Sequence, residues 1–229
     1  MNYLRIIIFS FFIINISCTQ VNDAYQYRNF ELKVGDLLFQ DSDCGPFCDA
    51  IEKVTYGVDA CNFSHVGIFI RDGLEGRPMI LEAIGRGVVQ TPIDSFFMRS
   101  YDSEGKSKVV VGRMKTEFQA LIPAAITHAL SLKGKPYDDG FDIENDKYYC
   151  SELIYNSFRA ANNGKAIFTL FPMTYKDPET NATFPIWVDY FKDLKMEIPE
   201  GKPGLNPGGM SRENCLKIVN YYGQPSRRL

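Results

Sequence analysis

Histidine is nearly absent from this chain: its 229 residues hold two, His65 and His128. Any imidazole acting as a general base must therefore be one of these. An excess of positive charge is also lacking. With 25 Lys and Arg against 28 Asp and Glu, the net charge is -3, which removes the electrostatic case for nucleic acid. No apolar run reaches the ~20 residues that a membrane-spanning helix needs. There is no internal repeat, no low-complexity tract and no second domain boundary, so the length suits one domain with a full-sized core. What is present is ordinary for such a domain: 45% apolar residues, with 17 Phe and 13 Tyr to fill a core or line a groove.

The longest apolar run, residues 6–16, follows a single positive charge at Arg5 and is broken by Ser10 and Asn15. It fits the central region of a secretory signal. The run closes on Asn15-Ile16-Ser17-Cys18, a small residue followed by cysteine, which resembles a bacterial lipobox, with Asn15 where leucine is usual. That resemblance implies a signal peptide at 1–17 and lipidation of Cys18. The protein would be anchored in a membrane of the bacterial cell envelope, facing the periplasm or exterior. Residues 18–29 then read as a polar tether and 30–229 as the domain. Export into an oxidising compartment makes Cys44, Cys48 and Cys61 candidates for one disulfide that leaves one thiol. Their spacing lacks the paired ligands of a closed zinc site, so neither metal nor cofactor is expected.

Hydrophobic periodicity and turn residues predict a short buried strand at 34–40, a helix at 49–56, and strands at 64–70, 79–83 and 87–90. Asp72-Gly73 marks a turn between the second and third of these strands. A helix at 93–98 and a strand at 108–114 follow, giving an antiparallel sheet of about five strands. A helix at 117–132, bent at Pro123, precedes one from about 148 to 161, capped by Asp146. Its inward stripe holds Cys150, Ile154, Phe158 and Ala161. Beyond Gly164 the chain is proline-rich, with a helix expected at 186–194 and a closing strand at 216–219. The fold class is α+β.

A thiol nucleophile acts as its thiolate, which a helix N-terminus and a nearby imidazole both favour. It needs a base within hydrogen-bond reach, and the base needs an orienting partner. Cys150 falls in the first turn of its helix. His65 opens a hydrophobic strand, whereas His128 lies within an amphipathic helix. A hairpin at Asp72-Gly73 places Glu82 near His65 across the ladder. Each residue also has an ordinary alternative: a core cysteine, a hydrogen-bonded core histidine, a glutamate paired with Arg86 or Arg71. No spacing rule joins 65, 82 and 150.

Five segments, in order, resemble the YiiX/YebB-like family, a circularly permuted branch of the papain-like NlpC/P60 superfamily. They are Gly35-Asp36-Leu37-Leu38-Phe39-Gln40, Ser64-His65-Val66-Gly67-Ile68, Leu81-Glu82-Ala83, Gly134-Lys135-Pro136-Tyr137-Asp138 and Tyr149-Cys150-Ser151-Glu152-Leu153. The resemblance implies an antiparallel sheet or partial barrel packed against helices, with a Cys150-His65-Glu82 triad. It makes Gln40 an oxyanion candidate and Gly35-Asp36 a structural turn. The implied activity is hydrolysis of an amide through a thioester, on a peptide, acyl-amide or lipid substrate. A lipid-directed acyltransferase or esterase, and a non-catalytic binding lipoprotein, are the alternatives. An apolar cleft built from Phe168, Phe171, Phe184 and Trp187 would favour the lipid-directed reading.

Overall fold

The computed structural model describes residues 23–227. The expected signal peptide, Cys18 and the start of the tether lie outside them. In chain order the elements are β1 (Ala24–Tyr27), β2 (Phe30–Lys33), β3 (Leu37–Gln40), α1 (Pro46–Val54), β4 (His65–Asp72), β5 (Arg77–Ile84), β6 (Gly87–Pro92) and α2 (Ile93–Phe97). There follow β7 (Val109–Met114), α3 (Thr116–Gln119), α4 (Ile122–Ser131), α5 (Cys150–Ala161), β8 (Phe171–Pro172), α6 (Pro185–Asp193), β9 (Pro203–Gly204), α7 (Pro207–Ser211) and β10 (Leu216–Tyr221).

Six strands form one open antiparallel sheet in the order β10-β7-β3-β4-β5-β6. Strand alternation sends side chains to two cores. Leu37, Phe39, Val66, Ile68, Ile70, Leu81 and Ala83 pack towards α4 and α5. Leu38, Phe69, Ile80, Val109 and Val111 pack on the other face, beneath α2 and the β1–β2 hairpin. Each large side chain fully buried this way contributes ~1.5–3 kcal/mol against exposure. Among the described residues, no helix is long and apolar enough to cross a membrane.

The structure corrects three expectations. Residues 24–29 are part of the domain, not tether: Tyr27 packs on Phe97 at 4.6 Å between centroids, and its hydroxyl donates to Asp94 Oδ1 at 2.8 Å. The helix at 117–132 is two helices, because Pro123 cannot donate to the ladder and clashes with the carbonyl four residues back. It sits instead in the first turn of α4, where a missing N–H costs nothing. The cap of α5 is Tyr149, not Asp146. The Asp146 carboxylate pairs with Lys135, while Glu152 accepts the Tyr149 backbone N–H at 3.2 Å.

The Gly35-Asp36 turn is structural. Gly35 has φ +91°, and a Cβ there would lie 2.5 Å from Ile122 Cγ2. Asp36 accepts two hydrogen bonds from Arg113, at 2.7 and 2.8 Å, which pin the turn to β7.

Candidate active site

On β4, alternation puts His65, Gly67 and Phe69 on one face and Val66, Ile68 and Ile70 on the other. On β5, Ile80 and Glu82 share the first of those faces. The register Ile68↔Leu81 sets Glu82 across from Gly67, one alternation away from His65. The imidazole therefore reaches its partner diagonally, and Gly67 keeps the path open. A Cβ at Gly67 would meet Ile80 Cγ2 at 2.4 Å and Glu82 Cβ at 3.3 Å.

His65 Nε2 lies 2.6 Å from Glu82 Oε2, and the Cys150 side chain is near enough to bear on the protonation of the ring. With Nε2 given to Glu82, Nδ1 is the nitrogen left for the thiol. Cys150 is the first residue of α5, the helix that lies against β4 and β5. Helix geometry leaves the N–H groups of its first turn outside the helical ladder. Ser151 fixes this end by donating to the Leu205 carbonyl at 2.9 Å. The first turns of α5 are buried beyond the expected stripe, with Ser151, Glu152, Leu153 and Tyr155 enclosed as well.

Glu82 is fully buried and accepts from more than His65. Arg99 donates Nη1 to Oε2 at 2.7 Å and Nη2 to Oε1 at 2.5 Å, and the Thr91 hydroxyl donates to Oε1. Burial pushes the carboxyl up, but Arg99 and then His65 outweigh it and hold its pKa at about 2. Burial of His65 lowers the imidazole's pKa. Cys150 and Glu82 beside it overcome that and raise it to about 9. Phe96 supports both cationic groups: its ring centroid is 5.8 Å from that of His65 and 5.1 Å from Arg99 Cζ.

A cleft passes the thiol in two halves. One touches Cys150 and is lined by Ile51, Phe141, Phe171, Met173, Tyr175 and Trp187, among others. The other touches His65 and is more polar, with Asp43, Arg99 and Cys44 in its wall. Ile51, Ser64 and Tyr137 border both halves. Burial, and then the neighbouring Cys150, push the Tyr137 phenol well above its usual range, so it remains a neutral donor.

Other sequence expectations fare unevenly. Gln40 is opposite His65 in the β3–β4 register, and its Nε2 donates to the Phe96 carbonyl at 2.9 Å, tying α2 to β3. Cys44 and Cys48 form a disulfide, and Cys61 is a buried free thiol. Of the four aromatics expected in a cleft, Phe171 and Trp187 line it. Phe168 packs edge-on against Phe158, and Phe184 lies under the Lys53 ammonium. Arg86 and Arg71, considered as partners of Glu82, give way to Arg99. Sequence reading missed Thr91 and Arg99. Extending the hairpin register would have found Thr91, because Ile80↔Thr91 puts it on the face of Glu82. Arg99 follows α2 in an irregular segment and carries no such signal.

A family model described as "Permuted papain-like amidase enzyme, YaeF/YiiX, C92 family" matches residues 31–220, well over half of the chain. The chain belongs to this family. It is thus a permuted papain-like protein of a family of amide-hydrolysing enzymes. A relative in Escherichia coli (strain K12), described as "Uncharacterized protein YiiX", is 27% identical over 129 residues, 56% of this chain. The chain spans 58% of that relative's length. A crystal structure of yiiX from Escherichia coli O157:H7 shares the fold, with TM-score 0.64 and 23% identity, covering 83% of this chain and 98% of that one. That protein is described as a metalloprotein. The donor set here does not fit a metal: among the described residues, no group of three or more His, Cys, Asp or Glu side chains is placed to hold an ion.

Proposed function

We propose that this family member hydrolyses an amide through a thioester on Cys150, with His65 as proton carrier and Glu82 as its orienting anion. Supporting this reading are the 2.6 Å contact of His65 Nε2 with Glu82 and the place of Cys150 as first residue of α5, the helix that packs on β4 and β5. In the first step the Cys150 sulfur, its proton already held by His65 Nδ1, bonds to the substrate carbonyl carbon. The oxyanion meets N–H groups at the start of α5, with the neutral Tyr137 hydroxyl beside them. The C–N bond then breaks, and the Nδ1 proton goes to the leaving nitrogen. Water attacks the thioester, gives its proton to His65, and the carboxylic product departs as the thiol is restored.

Fixed dipoles and Arg99 favour an ionised Glu82, which stabilises the imidazolium formed at each transfer. The test is to incubate purified protein with cell-wall peptides, acylated amines and phospholipids, and to examine Cys150 by intact-protein mass spectrometry. An acyl adduct on Cys150 that is absent in Cys150→Ala supports the reading. Product formation that survives Cys150→Ala rejects it. The apolar half of the cleft also suits an acyl ester or transfer of the acyl group to another acceptor. Comparing water with added amines as acceptors separates these outcomes.

The same proposal places the enzyme in the bacterial cell envelope, held by lipid on Cys18. It is motivated by the apolar run at 6–16 that closes on Ser17-Cys18. Membrane fractionation of wild type and Cys18→Ala tests it, and equal release of both into the soluble fraction would refute the anchor.

A further inference from the structure

We infer that the anchored protein stands on the bilayer on its β4–β5 turn, with Leu74 in the lipid interface and the cleft at the far end of the sheet. It therefore takes its amide from the aqueous side and not from lipids of the anchoring leaflet. This rests on the reading that Cys18 carries lipid, and adds an orientation and a substrate source to it.

The first observation is where the chain enters the domain. Asp23 and Ala24 sit at the turn end of β4. The Asp23 carbonyl accepts from the Val34 N–H at 2.8 Å, and the neighbouring Gly35 N–H donates to the Phe69 carbonyl at 2.9 Å. Arg71 Nη1 donates to the Ala24 carbonyl at 3.4 Å, and its guanidinium covers the Tyr25 ring at 5.0 Å. Because β1 belongs to the domain, only five steps of chain separate Cys18 from Asp23. Even fully extended they reach roughly 17 Å. A lipid on Cys18 thus holds the turn end of the sheet close to the headgroups.

The second observation is Leu74. It is fully exposed in the turn that joins β4 to β5, at that same end. The turn is closed by the Gly76 N–H on the Gly73 carbonyl at 3.0 Å, with φ +69° and +60° at the two glycines. A single exposed leucine means little on its own. Here the anchor lies beside it, and a weak apolar contact suffices to set the tilt of a protein already held by lipid. Arg71 and Arg77 offset Asp72 and Glu75 around the turn, so charge does not repel a bilayer there.

The cleft lies at the other end of the same strands. From Asp72 back to His65 β4 takes seven steps, roughly 23 Å at the ordinary rise. β5 runs from Arg77 at the turn to Ile84, which lines the His65 side of the cleft. With the turn on the bilayer, His65 is held well above the headgroups, out of reach of an acyl ester in the leaflet below. The substrates that fit this pose are amides that arrive through water or belong to the cell wall.

Trp187, the chain's one tryptophan, lies in the cleft wall and packs on Phe47 at 4.8 Å, so its emission reports the far end. The experiment purifies the protein from membranes and checks Cys18 for lipid by mass spectrometry. It then reconstitutes the protein in phosphatidylcholine vesicles whose acyl chains carry bromine near the headgroup, which quenches an indole on contact. Wild-type emission should match that in unbrominated vesicles, whereas Leu74→Trp should lose most of its added emission. Met98→Trp is the control, because Met98 is exposed and adjoins Arg99 in the cleft wall; its added emission should persist. Quenching of Trp187 or of Met98→Trp, or an unquenched Leu74→Trp, would overturn the inference while leaving the anchor intact. Absence of lipid on Cys18 would instead refute the anchor, and the inference with it. No turnover is measured, so the thiol chemistry is tested separately.

Discussion

Arg99 grips Glu82 with both terminal nitrogens, at 2.7 and 2.5 Å, and so supplies the charge that lets a buried carboxylate stay ionised beside His65. The arrangement extends the site to a fourth residue, one that acts through Glu82 and not on the substrate. Replacing it with Arg99→Met should cost ~2–3 kcal/mol, because a buried charge loses its paired donors. The sign of the pH effect follows from the depressed carboxyl. Its contribution to stability is present above about 4.5 and is lost as pH falls towards about 2. Without Arg99 that acid loss should begin at higher pH. Urea melts of both proteins across the acid range check this, and superimposable curves would count against the clamp.

The imidazole makes the opposite prediction. His65 is raised from 6.5 to about 9, so stability from its charged form is complete below the lower value and disappears as pH rises through the higher one. The same titration removes the proton that the leaving nitrogen needs. The alkaline limb of kcat/KM should therefore fall near pH 9 and move to lower pH in Glu82→Gln. A limb that does not respond to Glu82→Gln would show that another group controls it.

Gly67→Ala tests the diagonal pairing. The new Cβ would sit 2.4 Å from Ile80 Cγ2 and crowd Glu82. A loss of ~1–3 kcal/mol is expected from overpacking, together with weaker activity. An unchanged melt and unchanged activity would mean that the two strands adjust freely.

The Cys44–Cys48 bridge lines the His65 side of the cleft and starts α1. It closes a much shorter loop than a bridge to Cys61 would, so its stabilisation in the chain-entropy model is ~2 kcal/mol. Peptide mapping without reductant should recover Cys44 joined to Cys48 and Cys61 as a free thiol. A Cys48–Cys61 or Cys44–Cys61 peptide would contradict the structure.

Much of the sheet was legible because its strands are short, β-branched and bounded by turns. Asp72-Gly73 fixes the β4–β5 hairpin, and from that hairpin Glu82 falls beside His65. The six-strand order was not legible, since β10 returns from far along the chain to pair with β7 and nothing local in Leu216–Tyr221 names that partner. Tyr25 and Tyr27 looked like tether because their neighbours are polar. Their burial depends on Phe69, Phe97 and Tyr222, which are distant in sequence. Arg99 was hidden for the same reason. Cys150 was found through motif resemblance, and the structure adds its place as the first residue of α5.

The central claim is that Cys150 is an activated nucleophile and not a core cysteine. The direct measurement is the rate of iodoacetamide labelling at pH 6, site by site, in the folded protein. Burial pushes the Cys61 thiol up and takes the Cys215 thiol to about 12, while Cys44 and Cys48 are bridged. Cys150 should therefore label quickly while Cys61 and Cys215 stay unmodified, and His65→Ala should slow Cys150 by at least about tenfold. A Cys150 that labels only on unfolding, at the same rate with or without His65, would contradict the account.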